Sequence, residues 1–425
     1  MNIMVIGSGG REHALVHKLS ENKNIKKIYA LPGNGGIAKE ATCVDIGATD
    51  IEKIVEFAKN NSIDYAVVAP DDPLVLGLVD ELEKIGVKSF GPNKRAAIIE
   101  GSKVFSKNLM KKYNIPTAKY EVFTSYDEAV SYIENENTFP VVIKADGLAL
   151  GKGVIIAKDF DEAKDAVNMI MNDKVFGASG NSIVVEEFLE GPEVSVLCFT
   201  DSETIVPMVS SMDHKRIGDF DTGLNTGGMG TIAPNPCYTP DMAKRCMQEI
   251  FIPTVDAMNT EDRAFKGCLY FGLMITKNGP KVIEYNCRFG DPETQVVLPL
   301  LETDLLDIMM AVTDKKLKDI DVKFSNGSAC CVVVASDGYP KDYKKGIEIK
   351  EENVCDGFIY HAGTKIKDGK LVTSGGRVAG VVATALTLEE AIKKAYDNTK
   401  HFEFEGKYMR KDIGQRALSI LNEKN

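Results

Sequence analysis

The sequence predicts a multidomain protein of mixed α/β and α+β class, and three observations predict it. The chain has 425 residues, more than a single hydrophobic core ordinarily serves. Its first hundred residues alternate short apolar runs with helix-period segments, the pattern of a parallel sheet wrapped by helices. Beyond them the alternation gives way to pairs of apolar runs joined by glycine-rich turns, the pattern of antiparallel hairpins. Hydrophobic residues make up 44% and charged residues 27%, the balance of a water-soluble globular chain with a large core.

The net charge of -11 argues against a general binder of nucleic acid or anionic membranes and leaves small anionic metabolites as the expected partners. Nine cysteines without a C-x-x-C pair read as reduced, mostly buried thiols. MNIMVIG enters a strand directly, and no apolar run approaches the length of a membrane span, so the expected location is the cytoplasm.

Strands are expected at Asn2 to Ile6, Lys27 to Leu31, Thr42 to Ile46, Tyr65 to Ala69 and Lys88 to Phe90, with helices at Ile51 to Lys59 and Pro73 to Ile85. The first strand runs through Gly7-Ser8-Gly9-Gly10 into the helix-period REHALVHKL. A dinucleotide fingerprint is a poor match, because Gly7-x-Gly9-x-x-Glu12 lacks the final Gly or Ala and the next strand ends in Leu31-Pro32-Gly33 without a ribose-binding acid. Backbone amides at that helix N-terminus still suit a phosphate. Pro32 to Gly36 and Pro70 to Pro73 fall at the C-terminal ends of strands, where open α/β sheets place ligands.

A helix from Glu100 to Tyr113 opens the second region. Val141 to Lys144, Val154 to Ala157, Ser182 to Phe188 and Val194 to Phe199 read as one small antiparallel unit, with a helix at Phe160 to Met171. The turn Ala145 to Gly153 is not a Walker A loop, since the spacing is one residue short and no Ser or Thr follows Lys152. Three glycines beside Lys144 and Lys152 favour a flap over nucleotide phosphates above an ordinary mobile hairpin. Glu186-Glu187-Phe188-Leu189 and Glu193 suit an adenosine edge and ribose hydroxyls. Asp213-His214-Lys215-Arg216 reads as part of an anion site, and Asp221 to Gly230 as a functional loop.

Cys268 to Thr276 and Lys281 to Arg288, joined at Asn278-Gly279, read as a hairpin. Alternation on its second strand places Glu284, Asn286 and Arg288 on one face and Ile283, Tyr285 and Cys287 on the other. A carboxylate and an amide oxygen suit a hard cation, and the guanidinium suits an anionic substrate. Leu298 to Val312 is an expected helix. After Asp319 a third region carries strands near Ser328 to Ala335 and Val378 to Thr384 and a helix near Leu388 to His401, its glycine turns read as structural.

The ordered set GSGGREHAL, GSKVF, VIKADGLALGKGV, VVEEFLEG, DHKR, NTGGMG, EYNCRFGDPET, HAGT and RKDIG resembles the phosphoribosylamine–glycine ligases, ATP-grasp enzymes of purine biosynthesis. The resemblance spans nearly the whole chain. It implies an N-terminal substrate domain over 1–100, a two-lobed ATP-grasp over 101–322 with a flap lobe near 117–192, and a C-terminal α+β domain over 323–425. The implied reaction joins glycine to 5-phospho-β-D-ribosylamine and cleaves ATP to ADP and phosphate.

Carried over by motif, Lys103 and Lys144 contact ATP phosphates beneath Gly151, Lys152 and Gly153, while Glu186, Glu187, Phe188, Leu189 and Glu193 hold adenosine. Glu284 and Asn286 become ligands of Mg2+ or Mn2+. Gly9, Gly10, Asn34, Asp213, His214, Lys215 and Arg216 face phosphoribosylamine, and Arg288, Gly290 and Asp291 lie near glycine and the transferred phosphoryl. Two positions depart from the family pattern. Ser8 stands where Asn is usual, and Asp71 replaces a Glu, keeping the acid one methylene shorter.

Overall fold

The computed structural model describes residues 1–148, 153–354 and 356–424. Its N-terminal sheet is parallel, in the order Thr42–Cys43, Lys27–Pro32, Asn2–Gly7, Tyr65–Val68, Lys88–Phe90. Tyr65–Val68 is buried at every position, as its uninterrupted apolar run requires of a strand covered on both faces. The expected strand at Thr42 to Ile46 shortens to Thr42–Cys43. The expected helix at Pro73 to Ile85 divides into Asp71–Leu76 and Leu78–Lys84, because Gly77 adopts φ 96°, which ends one helix and starts the next.

The second region also begins differently from expectation. Lys94–Gly101 and Lys103–Lys112 are separate helices, and the extended Ser102 between them accepts a hydrogen bond from the Phe105 amide at 3.0 Å. The flap lobe is an antiparallel sheet in the order Tyr120–Phe123, Ile183–Glu187, Val141–Ala145, Val154–Ala157. Helices Tyr126–Glu136 and Phe160–Met171 bury Ile133, Val167 and Ile170 in its separate core.

Sequence pattern misplaced one strand. Glu193–Thr200 does not join the flap lobe but pairs with Gly267–Thr276 in a second sheet, ordered Ile205–Pro207, Glu193–Thr200, Gly267–Thr276, Gly279–Asn286. A period of two identifies a strand without naming its partner, which here lies some seventy residues onward. The expected helix at Leu298 to Val312 is also interrupted. A 3-10 turn at Leu298–Leu300 leads to the extended Leu301, and Asp304 then caps Leu305–Thr313 by accepting from the Asp307 amide at 3.1 Å.

The last large sheet crosses the chain boundary expected near 323. Met212–Asp213 and Gly230–Ala233 pair in sequence with Ser328–Ser336, Arg377–Ala385 and Phe358–His361. One buried cluster joins Val5, Phe199, Phe289, Leu305, Val333 and Tyr360 across all three regions. Cys198, Cys246, Cys268, Cys287, Cys330 and Cys331 are buried free thiols. Among the described residues, no helix is long and apolar enough to cross a membrane.

Candidate active site

The strand Gly279–Asn286 does not alternate evenly. Gly272 pairs with Glu284 and Leu273 with Val282, so Ile283 is an extra residue, a β-bulge. Val282, not Ile283, joins Tyr285 and Cys287 in the core, correcting the expected face. The bulge turns the Ile283 carbonyl toward the nucleotide side, where it accepts from Lys144 Nζ at 3.1 Å. The next side chain, Glu284, makes no hydrogen bond or ion pair among the described residues. Its charge interacts with the ammonium groups of Lys103 and Lys215.

Two residues on, Asn286 Oδ1 accepts from Arg288 Nη2 at 3.1 Å. The same nitrogen lies 3.0 Å from Glu100 Oε1 and 3.9 Å from Asp71 Oδ2. Glu100 is buried and also accepts the Cys287 amide at 2.7 Å through its other oxygen. Burial raises the Glu100 carboxyl and the Arg288 cation opposes it. Asp71, against the same burial, is held below its ordinary value by Arg288 and Arg11. Glu100 carried no sequence signal, because a glutamate near a helix end reads as solvated.

Lys144 and Glu186 face each other at 3.0 Å, both buried, and the second Glu186 oxygen lies 3.0 Å from Lys107. Glu186 thus sits between two lysines, of which Lys107 was not foreseen. Lys103, at the first turn of Lys103–Lys112, donates to the Gly147 carbonyl at 2.5 Å, and Asp146 accepts from Ser102 Oγ and the Val104 amide at 3.0 and 3.2 Å. These contacts tie the start of the flap turn to the helix. Gly153 closes its far side by accepting from the Ala145 amide at 2.8 Å, while the expected sites Gly151 and Lys152 lie outside the described residues. Glu187 pairs with Lys281 at 2.8 Å, Phe188 and Leu189 stay at least partly open, and Glu193 meets Lys215 at 2.8 Å.

On the substrate side, Gly228 has φ 112° and lies where a Cβ would meet Pro292 at 2.5 Å and Asp213 Oδ1 at 2.7 Å. That close approach brings the NTGGMG loop against both the Asp213 segment and the Gly290-Asp291-Pro292 turn. Gly290 packs where a Cβ would fall 2.3 Å from Glu293 Oε2. Glu293 in turn accepts from the Tyr270 hydroxyl at 3.1 Å. Arg377, from the third region, reaches Asp291 Oδ1 at 3.3 Å and donates to the carbonyls of Gly227 and Asp291 at 2.7 and 3.0 Å. Nothing in the sequence connects Arg377 to a site 86 residues earlier.

Four expected roles meet geometric objections. At the glycine turn two amides are already taken, because Gly9 N–H donates to Glu12 at 2.6 Å and Arg11 N–H to Asp291 at 3.4 Å. Protein carboxylates already take the favourable position at this helix N-terminus. Asn34 spends its amide on Ser8 and His361 carbonyls and its oxygen on the Gly36 and Ile37 amides. His214 shares one ring nitrogen with the Gly230 carbonyl at 3.1 Å and accepts the Gly414 amide on the other at 3.2 Å. Burial, and then the Arg410 cation, lower it to about 4, so the ring is neutral. Arg216 donates to the Gly223 carbonyl at 2.8 Å and faces the exposed loop.

Glu284 and Asn286 supply two oxygens, and no group of three or more His, Cys, Asp or Glu suited to a metal occurs among the described residues. A carboxylate without a side-chain partner among the described residues, beside an amide oxygen, fits Mg2+, which takes few protein ligands and completes its shell with phosphates and water.

A flap lobe over a larger antiparallel sheet, with buried lysines at their junction and this oxygen pair on the sheet, defines an ATP-grasp enzyme. Residues 1–100, 101–294 and 329–416 match the models for the N domain, the ATP-grasp (A) domain and the C domain of phosphoribosylglycinamide synthetase. The chain belongs to the phosphoribosylglycinamide synthetase family. It is 51% identical to the phosphoribosylamine–glycine ligase of Caldanaerobacter subterraneus subsp. tengcongensis, over 97% of this chain and 99% of that one. With the Clostridium acetobutylicum ligase it shares 49%, over 98% and 100%. The crystal structure of the Thermotoga maritima phosphoribosylamine–glycine ligase superposes with a TM-score of 0.86 at 34% identity, covering 97% of this chain and 100% of that chain. The biotin carboxylase domain of a Hydrogenobacter thermophilus 2-oxoglutarate carboxylase, solved with MgADP, shares the fold alone, with a TM-score of 0.74 at 17% identity over 96% and 91%.

Proposed function

We propose that the chain ligates glycine to 5-phospho-β-D-ribosylamine, with cleavage of ATP to ADP and phosphate, giving glycinamide ribonucleotide in de novo purine biosynthesis. The observation that carries the residue assignments is one strand end on which the Ile283 carbonyl accepts from Lys144, Glu284 has no side-chain partner among the described residues, and Asn286 accepts from an Arg288 paired with Glu100. A carboxylate does not acylate an amine in water without a leaving group. One glycine carboxylate oxygen attacks the γ-phosphorus and ADP departs, leaving glycyl phosphate. The ribosylamine nitrogen then attacks the acyl carbon, releases phosphate and loses a proton. No covalent enzyme intermediate is needed.

The protein contributes position and charge. Lys103 and Lys144 neutralise the phosphates, with Gly153 at the far end of the flap turn. Glu186 to Leu189 and Glu193 receive adenosine. Glu284 and Asn286 would hold Mg2+, which would offset the negative charge of the phosphates; Mn2+ suits the same oxygens. Arg288 orients the glycine carboxylate. Gly290 admits a close approach, and Asp291 locks the glycine turn and Arg377 together. Phosphoribosylamine lies among Gly9, Gly10, Asp213, Lys215 and Asp71. Asn34, His214 and Arg216 move from ligands to supports, because their polar groups are spent on backbone. The working units are 1–100, 101–322 and 323–425, in a cytoplasmic enzyme whose partners are small molecules.

The test is ADP release by purified protein with glycine and freshly made phosphoribosylamine, and with each omitted. Release should require glycine, and Glu284→Ala should abolish it while thermal unfolding stays cooperative. ATP hydrolysis indifferent to glycine would refute the reaction, and full turnover by Glu284→Ala would refute the metal ligands.

A further inference from the structure

Lys107 is 2% exposed, and the reaction as assigned gives it no task. A buried ammonium is costly unless well paired, and the pairing here has a direction. Lys107 follows Lys103 by one helical turn and shares its face. Besides its contact with Glu186, it donates to Thr117 Oγ1 at 2.7 Å. The Thr117 hydroxyl donates to the Val282 carbonyl at 2.7 Å. From the other Glu186 oxygen, Lys144 leads to the Ile283 carbonyl. The circuit Val282, Thr117, Lys107, Glu186, Lys144, Ile283 therefore begins and ends on successive carbonyls at the bulge. The residue that follows is Glu284.

We infer that Lys107 and Thr117 are positioning residues that set the orientation of Glu284, and hence the divalent-cation dependence of nucleotide binding, by holding the bulged strand against Lys144. The inference rests on Glu284 and Asn286 being the cation ligands. A bulge frees carbonyls from the ladder and leaves the local strand direction to whatever binds them. Here Thr117 binds one and Lys144 the other, and Lys107 and Glu186 link the two donors. Charge points the same way: one carboxylate between two ammonium groups leaves a positive surplus, so Lys144 keeps its attraction for phosphate. Without Lys107, Glu186 would neutralise Lys144 alone.

The test is calorimetric titration of ADP into the full chain, with Mg2+ and with a chelator in its place. Thr117→Val keeps the shape and removes the link from Lys107 to Val282. It should reduce the Mg2+-dependent gain in ADP affinity by ~10-fold or more, the usual effect of losing support behind a metal ligand, while leaving the Mg2+-free affinity at the wild-type value. Thr117→Ser should restore the gain. Lys107→Met should weaken both affinities; if it does not fold, the Thr117 pair decides alone. A wild-type gain in Thr117→Val overturns the inference. Glu284→Ala in the same titration should lose the gain entirely. A gain retained there, or absent from the wild type, overturns the ligand assignment and this inference with it, whereas loss in Glu284→Ala with an intact gain in Thr117→Val overturns this inference alone.

Discussion

Asn34 donates to the His361 carbonyl at 2.8 Å, joining positions 327 residues apart. The His361 amide is held as well, by His13 Nδ1 at 2.7 Å. One residue of the third region is thus clamped through both of its backbone polar groups by the first. The second contact needs His13 unprotonated at Nδ1, and burial lowers the His13 pKa accordingly. Because the other Asn34 proton goes to Ser8 at 2.9 Å, the clamp also fixes the glycine turn.

Asn34→Asp tests the clamp. The carboxylate can still accept the Gly36 and Ile37 amides, but it faces two carbonyls that have lost their donors. A cost of about 3 kcal/mol is expected in urea unfolding, with a raised KM for phosphoribosylamine and an unchanged KM for ATP. Equal changes in both KM values would mean that the clamp serves folding alone.

Arg288→Lys should retain charge and lose the fork whose Nη2 meets Glu100 and Asn286 while Nη1 donates to the Phe289 carbonyl. Turnover should fall ~100-fold or more, the scale of losing one preorganised cation or donor at a developing charge, with ADP affinity preserved. Glu100→Gln should act in the same direction by leaving a half-buried guanidinium without its close partner. Steady-state kinetics against glycine checks both, and a kcat within twofold of wild type for Arg288→Lys would remove it from the reacting centre.

His214 gives the fold an acid limit. Its folded pKa, about 4, lies below the ordinary 6.5, so the unfolded chain binds the proton more readily. Its stabilising contribution is complete above pH 6.5 and is lost as pH falls toward 4, by about 3 kcal/mol over that window. His13 works in the same direction, whereas His17, raised mainly by its hydrogen bond to Glu40, works in the other. Comparing urea midpoints of wild type and His214→Gln at pH 7 and pH 4.5 isolates one group, and the variant should lose distinctly less. Equal losses would mean that the ring is not held neutral.

The parts of this molecule that a sequence reveals are those set by near neighbours. Tyr65 to Val68 is apolar at successive positions and can only be a strand covered on both faces, and the glycine turn after Ile6 marks its own strand and helix. Lys144, Glu284 and Asn286 stand out because their residue types are costly in a core and their spacing suits a cation and a phosphate. Other features depend on distant pairing. The Ile283 bulge exists only because Gly272 meets Glu284 in the register actually formed. Lys107 looks like any helix-surface lysine until Glu186 and Thr117 arrive from elsewhere, and Arg377 gains its role when another sheet carries it to Asp291. Asn34 misled for the reverse reason: an amide in a glycine-rich turn suggests a ligand, while its four bonds are spent inside the protein.

The sheet that runs through Gly230–Ala233 and Ser328–Ser336 makes the third region a joint property of two stretches of chain. A protein shortened at residue 322 would uncover Gly230–Ala233, all four residues buried in the intact chain, as a bare strand edge able to template association with other chains. The excised remainder would lack its outer strands at the same seam. Splitting this enzyme into separately made pieces therefore calls for co-expression, with the two halves knitting the sheet as they fold.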